Sequence, residues 1–548
     1  MEVNDPTVLQ AAIDERQQAI VRLQEELLLL RSQLNATRPM CRFPDEILAE
    51  IFLQYVKDRR AEYEDAAWDD YTQQPYAWLG ITHVCHRWRE VALHSPRLWD
   101  WIVPMRAEST QVFIARSGQR PLTVPQRRLA LTRDLGPPDG DRAQKEAELR
   151  ASLQLIYQQL YRVVRMDLHS NYPAPEDPLP DAPLMNTLTI REAQQPETPA
   201  LNYFRGLPMP SLIAFHCWCN PARLQNLLRP TLTSLTLSGR SLGGGQKNAL
   251  LDVLNANPGL TRLRIDSIDR PFELEGNEEP ARRVALPNLR HIHLTEGNDG
   301  RMAPRMLRNL ELPANVNITV FAYRGFPHST GVGGLFDVLG NLGPDDTGLV
   351  LGVSAPNAKC VQFSVWPAGE DVTMHSPYET WGTPRLRYRV YGIAKPRTKT
   401  QKMTDFAQAL GRHVARIGVV HIDCHIDVQD WIALFTMMTE VRQLYVRGEG
   451  AKKLEQPLGR AGPALLFPHL HLLVLDQINW CVHTDPEDYC DHPAPCKVAK
   501  TLATGIAARN GVPQLVVRRG KQIISADVEH IATWGNVDGL DWDLVSYE

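Results

Sequence analysis

The sequence predicts an α/β chain: an N-terminal helix, a small all-helical segment, then a long, irregular stack of strand-and-helix units. Three observations carry this. Apolar residues recur at heptad spacing over residues 7–34; two apolar blocks, 43–52 and 84–99, have helical periodicity; and from residue 210 onward, segments approximating Leu-x-x-Leu-x-Leu return at nearly constant intervals. A chain of 548 residues is too long for one compact core. Three regions are expected: residues 1–36, 40–102 and 103–548.

In the first region Ile13, Ile20, Leu27 and Leu34 fall at one heptad position, and Leu9, Leu23 and Leu30 at the other, with Arg16 interrupting the second series. The run is about four heptads, close to the minimum for a coiled coil. The tetraleucine Leu27–Leu30 widens the apolar stripe beyond a strict seam. Two readings stay open: a homodimer through residues 7–34, or an amphipathic helix folded back on the rest of the chain.

The second region opens with Phe43-Pro44-Asp45-Glu46-Ile47-Leu48-Ala49-Glu50-Ile51-Phe52. Pro44 suits a helix start, where a missing N–H costs nothing. Asp45 and Glu46 suit the positive end of the helix dipole. Ile47, Leu48, Ile51 and Phe52 make one apolar stripe. The second block, Val84-Cys85-His86-Arg87-Trp88-Arg89-Glu90-Val91-Ala92, repeats the pattern and runs on into Ser95-Pro96-Arg97-Leu98-Trp99.

At these residues the chain resembles the F-box family, above all its fungal members, which run Leu-Pro-x-Glu-Ile-Leu-x-x-Ile-Phe and later Val-Cys-x-x-Trp-Arg. Phe43 stands where the family has its leading Leu, and residues 57–76, rich in Asp, Glu, Tyr and Trp, are an insertion expected to loop out. The resemblance implies docking on a Skp-type adaptor that tethers a cullin-based ubiquitin ligase. Carried over residue by residue, it implies adaptor contact by Phe43, Pro44, Ile47, Leu48, Ile51, Phe52, Val84, Cys85 and Trp88, some of which would instead hold the helical unit together.

In the third region Leu232, Leu260 and Leu289 lead successive segments 28 and 29 residues apart, and Val441 and Leu470 lead two more, 29 apart. Amphipathic helices are expected between the strands, at 249–254, 428–438 and 498–508. The period and pattern resemble the longer, helix-containing leucine-rich repeats. Such units cannot bury their apolar sides singly, so they stack into a continuous core. Leu235, Leu237, Leu263, Ile265, Ile292 and Leu294 should point inward, from parallel strands stacked in sequence order. The ladder Asn or Cys of such repeats is not consistently present, and repeats are hardly recognisable between Gly325 and Arg416. Within that stretch Cys360–Trp366 and Leu386–Tyr391 still alternate as strands should.

Composition narrows the function. Lys and Arg total 59 against 63 for Asp and Glu, so no strong field favours nucleic acid or a membrane surface. The nine cysteines form no regular framework, which argues for a reducing compartment. No apolar run approaches the ~20 residues that span a bilayer, and the start of the chain lacks a signal-peptide pattern. A soluble protein of the cytoplasm or nucleus is expected.

Chemistry is hard to find. Gly243–Asn248 lacks the Gly and the Ser or Thr that a phosphate loop needs, and Gly352–Pro356 lacks the closing Gly of a nucleophile elbow. Cys481, His483, Cys490, His492 and Cys496 include zinc-type ligands, but without the usual paired spacing. His421, Cys424 and His425 pose the same temptation. The basic run Lys395–Lys402 reads as a solvated loop or an import signal. No enzyme activity, cofactor or metal is expected. The expected function is a substrate-recognition subunit of a Skp–cullin–F-box ubiquitin ligase, its repeats holding an unknown protein substrate. The alternative is a non-ligase interaction scaffold with an F-box-like cap and coiled-coil self-association.

Overall fold

The computed structural model describes residues 6–65, 74–125, 140–169, 172, 175–191, 203–204, 206–217, 231–238, 247–266, 282–296, 302–313, 315–322, 348–357, 360–367, 384–391, 403–404, 406–408, 410–448, 454–458, 466–478, 497–507, 512–519 and 525–542. The chain divides into two compact units, Met1–Ile213 and Ala214–Glu548.

In the first unit, α1 (Pro6–Ala36) is one unbroken helix, about 46 Å long at 1.5 Å per residue. Its heptad residues Leu9, Ile13, Ile20, Leu23, Leu27, Leu30 and Leu34 are all exposed. The helical segment follows as α2 (Asp45–Asp65), a 3-10 turn (Ala77–His83), α3 (His86–Leu93) and a second 3-10 turn (Pro96–Leu98). The expected loop at 57–76 is helical as far as Asp65. Two features hold it so: the Arg59–Glu62 pair one turn apart at 2.8 Å, and Tyr63, buried edge-on against Trp101 with ring centroids 5.5 Å apart.

Next come α4 (Ala107–Arg116), β1 (Leu122–Val124), α5 (Gly140–Tyr157), β2 (Val163–His169) and β3 (Thr187–Arg191). The strands pair parallel in sequence order. The helical segment is fastened to them. Trp101 forms a parallel bridge to Thr123 of β1, and Arg165 of β2 reaches Glu64 of α2 at 2.9 Å. Arg162, just before β2, is buried, and its guanidinium donates to the carbonyls of Ile114, Gly118 and Arg120 and to the Ser117 hydroxyl. Ile114 lies in the last turn of α4, and Ser117, Gly118 and Arg120 in the turn that follows it, where Gly118 is left-handed (φ 56°).

The second unit begins with β4 (Ala214–Cys217), β5 (Ser234–Ser238), α6 (Lys247–Asn255), β6 (Arg262–Asp266), β7 (Val284–Ala285), β8 (His291–Glu296), α7 (Met302–Arg308), β9 (Leu310–Glu311) and β10 (Asn317–Ala322). Strands β4, β5, β6, β8 and β10 pair parallel in that order, and β7 and β9 form a small sheet of their own. One hydrogen bond recurs from unit to unit. The Thr261 N–H donates to Thr233 O, Arg290 N–H to Thr261 O and Asn317 N–H to Arg290 O, each at 2.8 Å. The period of 28–29 residues is therefore a structural repeat. The leading leucines Leu232, Leu260 and Leu289 are buried just ahead of each strand, and Leu235, Leu237, Leu263, Ile265, Ile292 and Leu294 all point into the core. Truncating Leu263 to Ala is expected to cost ~2–5 kcal/mol in urea denaturation. A cost below about 1 kcal/mol, the scale of a lost methylene, would show that this row does not carry the core.

The middle of the chain leaves the repeat pattern. After β10 come β11 (Leu349–Asn357), β12 (Cys360–Pro367) and β13 (Leu386–Tyr391), yet β13 lies beside β10, and β11 lies beside the later β14 (Ile417–Asp423). Strand β12 runs antiparallel between them. The sequence alternation in β12 is not an inside–outside pattern, because both of its faces are buried. Its polar side chains are paired instead: Gln362 donates to Ser364 Oγ at 3.2 Å and accepts from Arg389.

Parallel stacking then resumes through β14, α8 (Val428–Phe435), β15 (Gln443–Arg447), α9 (Glu455–Leu458), β16 (Leu472–Asp476), α10 (Lys497–Ala507), β17 (Val512–Arg518), α11 (Ser525–Trp534) and β18 (Val537–Trp542). The helices expected near 249–254, 428–438 and 498–508 are α6, α8 and α10. The mixed α/β architecture, with most strands parallel and stacked in chain order, is compatible with a leucine-rich-repeat-like solenoid.

Candidate functional site

The helical segment brings the two sequence blocks into contact. The Phe52 and Trp88 rings lie 4.9 Å apart. Arg87 of α3 donates to the Asp45 carboxylate at 2.7 Å and to Phe43 O, holding the entry to α2 against α3. Arg97 pairs with Glu50. Asp45 and Glu46 occupy the first turn of α2, and the Pro44 carbonyl accepts the N–H groups of Ile47 and Leu48, both at 3.1 Å.

The nine residues carried over from the F-box resemblance separate by burial. Leu48 is 0% exposed and Phe52 1%, so both are core residues of this segment, not surface contacts. Val56, Trp78, Leu98 and Trp99 of the same segment are buried as well, with Trp78 and Trp99 edge-on at 5.2 Å. Trp88 and Cys85 are half-buried. Phe43, Pro44, Ile47, Ile51 and Val84 face outward, with Ile47 47%, Ile51 40% and Val84 57% exposed.

Ile47 and Ile51 are one helical turn apart, and Tyr55, a turn further on, is exposed as well. Tyr55 was missed by the motif-based reading, although its spacing of four from Ile51 was there to see. The result is an apolar stripe along α2, on a segment whose opposite side is fully packed. Adjacent exposed apolar groups of this kind mark contact surfaces more often than isolated ones do.

Among the described residues, no group of three or more His, Cys, Asp and Glu side chains is placed to hold a metal ion. The cluster Cys481–Cys496, residues 243–246 and the basic run Lys395–Lys402 lie outside the described residues, and Lys247 and Asn248 open helix α6. His421 is buried and stacked on Tyr445 at 4.1 Å, and burial pushes its pKa well below the usual range, so it packs as a neutral ring. No helix of the described residues is long and apolar enough to cross a membrane.

No family model matches the chain, and no curated protein matches it. Among solved structures it is similar to the leucine-rich repeat-containing protein LegL7 from Legionella pneumophila. The identity is 13% and the TM-score 0.24, over 65% of this chain and 89% of that one.

Proposed function

We propose that the protein is the substrate-recognition subunit of a Skp–cullin–F-box ubiquitin ligase. The observation that carries this reading is the exposed apolar stripe of α2, on a helical segment whose motif order resembles an F-box. In this reading Phe43, Ile47, Ile51, Tyr55 and Val84 meet the Skp-type adaptor, while Leu48, Phe52 and Trp88 hold the helices that present them. The stacked strands hold a protein substrate. No chemistry is then required of this chain. It raises the effective concentration of the substrate near the transferring subunits and orients it there. Capture of a purified Skp-type adaptor by the full chain tests the reading, and a wild-type protein that captures none would overturn it.

A second reading, an interaction scaffold that self-associates through its N-terminal helix, is favoured by α1. Its heptad leucines and isoleucines are exposed along the whole helix, and a lone helix gains little stability without a packing partner. Deleting residues 1–36 is expected to convert a dimer into a monomer in sedimentation at micromolar concentration. A full-length protein that is already monomeric would refute self-association through α1. Self-association through α1 by itself is compatible with the first reading as well, because a dimeric receptor would be a bivalent one.

A further inference from the structure

Helix α1 presents its apolar residues to solvent along its whole length: Leu9 is 49% exposed, Ile20 54% and Leu34 62%. The heptad series that contains them is self-complementary in one orientation and not in the other. In a parallel pair of identical helices the two-fold axis runs along the seam, so every core residue meets its own copy. Arg16 would then face Arg16 of the second copy inside an otherwise apolar seam, where like charges drawn out of water are costly. In an antiparallel pair the axis crosses the seam, so residue i meets residue j and j meets i. Setting Ile20 opposite Leu23 then brings Ile13 opposite Leu30, Leu9 opposite Leu34 and Arg16 opposite Leu27. No core residue is left over, because this register is also centred on the helix, Pro6–Ala36. A shift of one heptad in either direction would strand Leu9 or Leu34 beyond the end of the second helix.

Charge favours the same orientation. Arg16 and Glu26 are exposed, and neither has an ion pair among the described residues. Arg22, one turn before Glu26, donates to Gln18 O at 3.4 Å. With Arg16 over Leu27 of the second copy, Glu26 of that copy lies beside it at the flank of the seam, and symmetry makes the contact twice. A parallel pair offers Glu26 to Arg31 across its rim, an exposed kind of pair that contributes little, and it leaves Arg16 against Arg16. The helix dipoles also oppose each other in the antiparallel pair, each N-terminus beside the other's C-terminus. We infer that α1 binds α1 of a second copy of this chain in antiparallel orientation, with Arg16 paired to Glu26 across the interface. This rests on the self-association reading and adds to it the orientation of the partner. The two chains then leave the helix pair at opposite ends, about 46 Å apart, so the segments that follow α1 start far from each other instead of side by side.

The test uses the full chain at micromolar concentration, where sedimentation is expected to show a dimer. Arg16→Glu should weaken that dimer by about tenfold, because it sets two carboxylates against each other at both symmetry-related contacts. Adding Glu26→Arg to the same chain should restore it to within about threefold of the wild type. A parallel pair would gain nothing from the exchange, since position 16 would still face itself. Both side chains are exposed, so circular dichroism should be unchanged in either variant. Orientation is read directly by equilibrating Leu9→Cys with Leu34→Cys, each also carrying Cys41→Ser to remove the native cysteine next to α1 in the sequence. Mild oxidation should link residue 9 to residue 34, and not 9 to 9, in peptides identified by mass spectrometry. Links from 9 to 9, or a charge exchange that restores nothing, would overturn the antiparallel pairing while leaving self-association in place. So would a trimer or tetramer, to which the wider apolar surface at Leu27–Leu30 would then contribute. A full-length monomer would remove the self-association reading, and this inference with it.

Discussion

Replacing Ile47 and Ile51 together by Glu is expected to take adaptor binding below detection while leaving the protein folded. Both side chains are exposed on the free molecule, so the two new charges stay in water there. In an apolar interface the same charges would be desolvated, at a cost of several kcal/mol. At 1.4 kcal/mol per tenfold, a micromolar complex would weaken by roughly a thousandfold. Pull-down of a purified Skp-type adaptor measures this, with circular dichroism as the folding control. Leu48→Glu is the informative contrast. That side chain is fully buried, and its variant should unfold the helical segment instead of only silencing it. Equal adaptor capture by the wild type and the double mutant would refute α2 as the binding face.

Removing Arg162 is expected to destabilise the first unit more than any surface substitution there. Its guanidinium satisfies three carbonyls and one hydroxyl at the end of α4. Truncation to Ala strands acceptors at a buried position, each costing ~1–3 kcal/mol before water enters. A net loss of about 3 kcal/mol is expected for Arg162→Ala in urea denaturation followed by tryptophan fluorescence. The probes are Trp99 and Trp101, which lie in the adjoining core. Arg162→Lys should recover part of this, because an ammonium can serve some of the acceptors but lacks the planar fork. A loss within about 0.5 kcal/mol, the range of ordinary surface changes, would show that the cluster is ornamental.

Local periodicity was enough to mark the elements. The heptads of α1, the start of α2 at Pro44 and the 28–29-residue return of leucine needed no partner to be seen, because each reflects a repeat along one element. The six inward leucines and isoleucines of the repeats followed from strand alternation alone. Faces were another matter. Ile47, Leu48, Ile51 and Phe52 form a single apolar stripe in the sequence. Only the folded segment, with Phe52 against Trp88 and Leu48 fully buried, decided which of them turn inward and left Ile47, Ile51 and Tyr55 outside. Arg162 is one arginine among many until the end of α4 folds over it. In β12 the alternation marked the strand but not its surroundings, since both faces are covered and Gln362 and Ser364 are buried with partners. The neighbourhood of strands β6 and β13 depended most on tertiary structure. Arg262 and Arg264 are more than 120 residues from Arg387 and Arg389 in the chain. They share a face because β13 returns to lie beside β10, a strand order set by long-range pairing that no local pattern records.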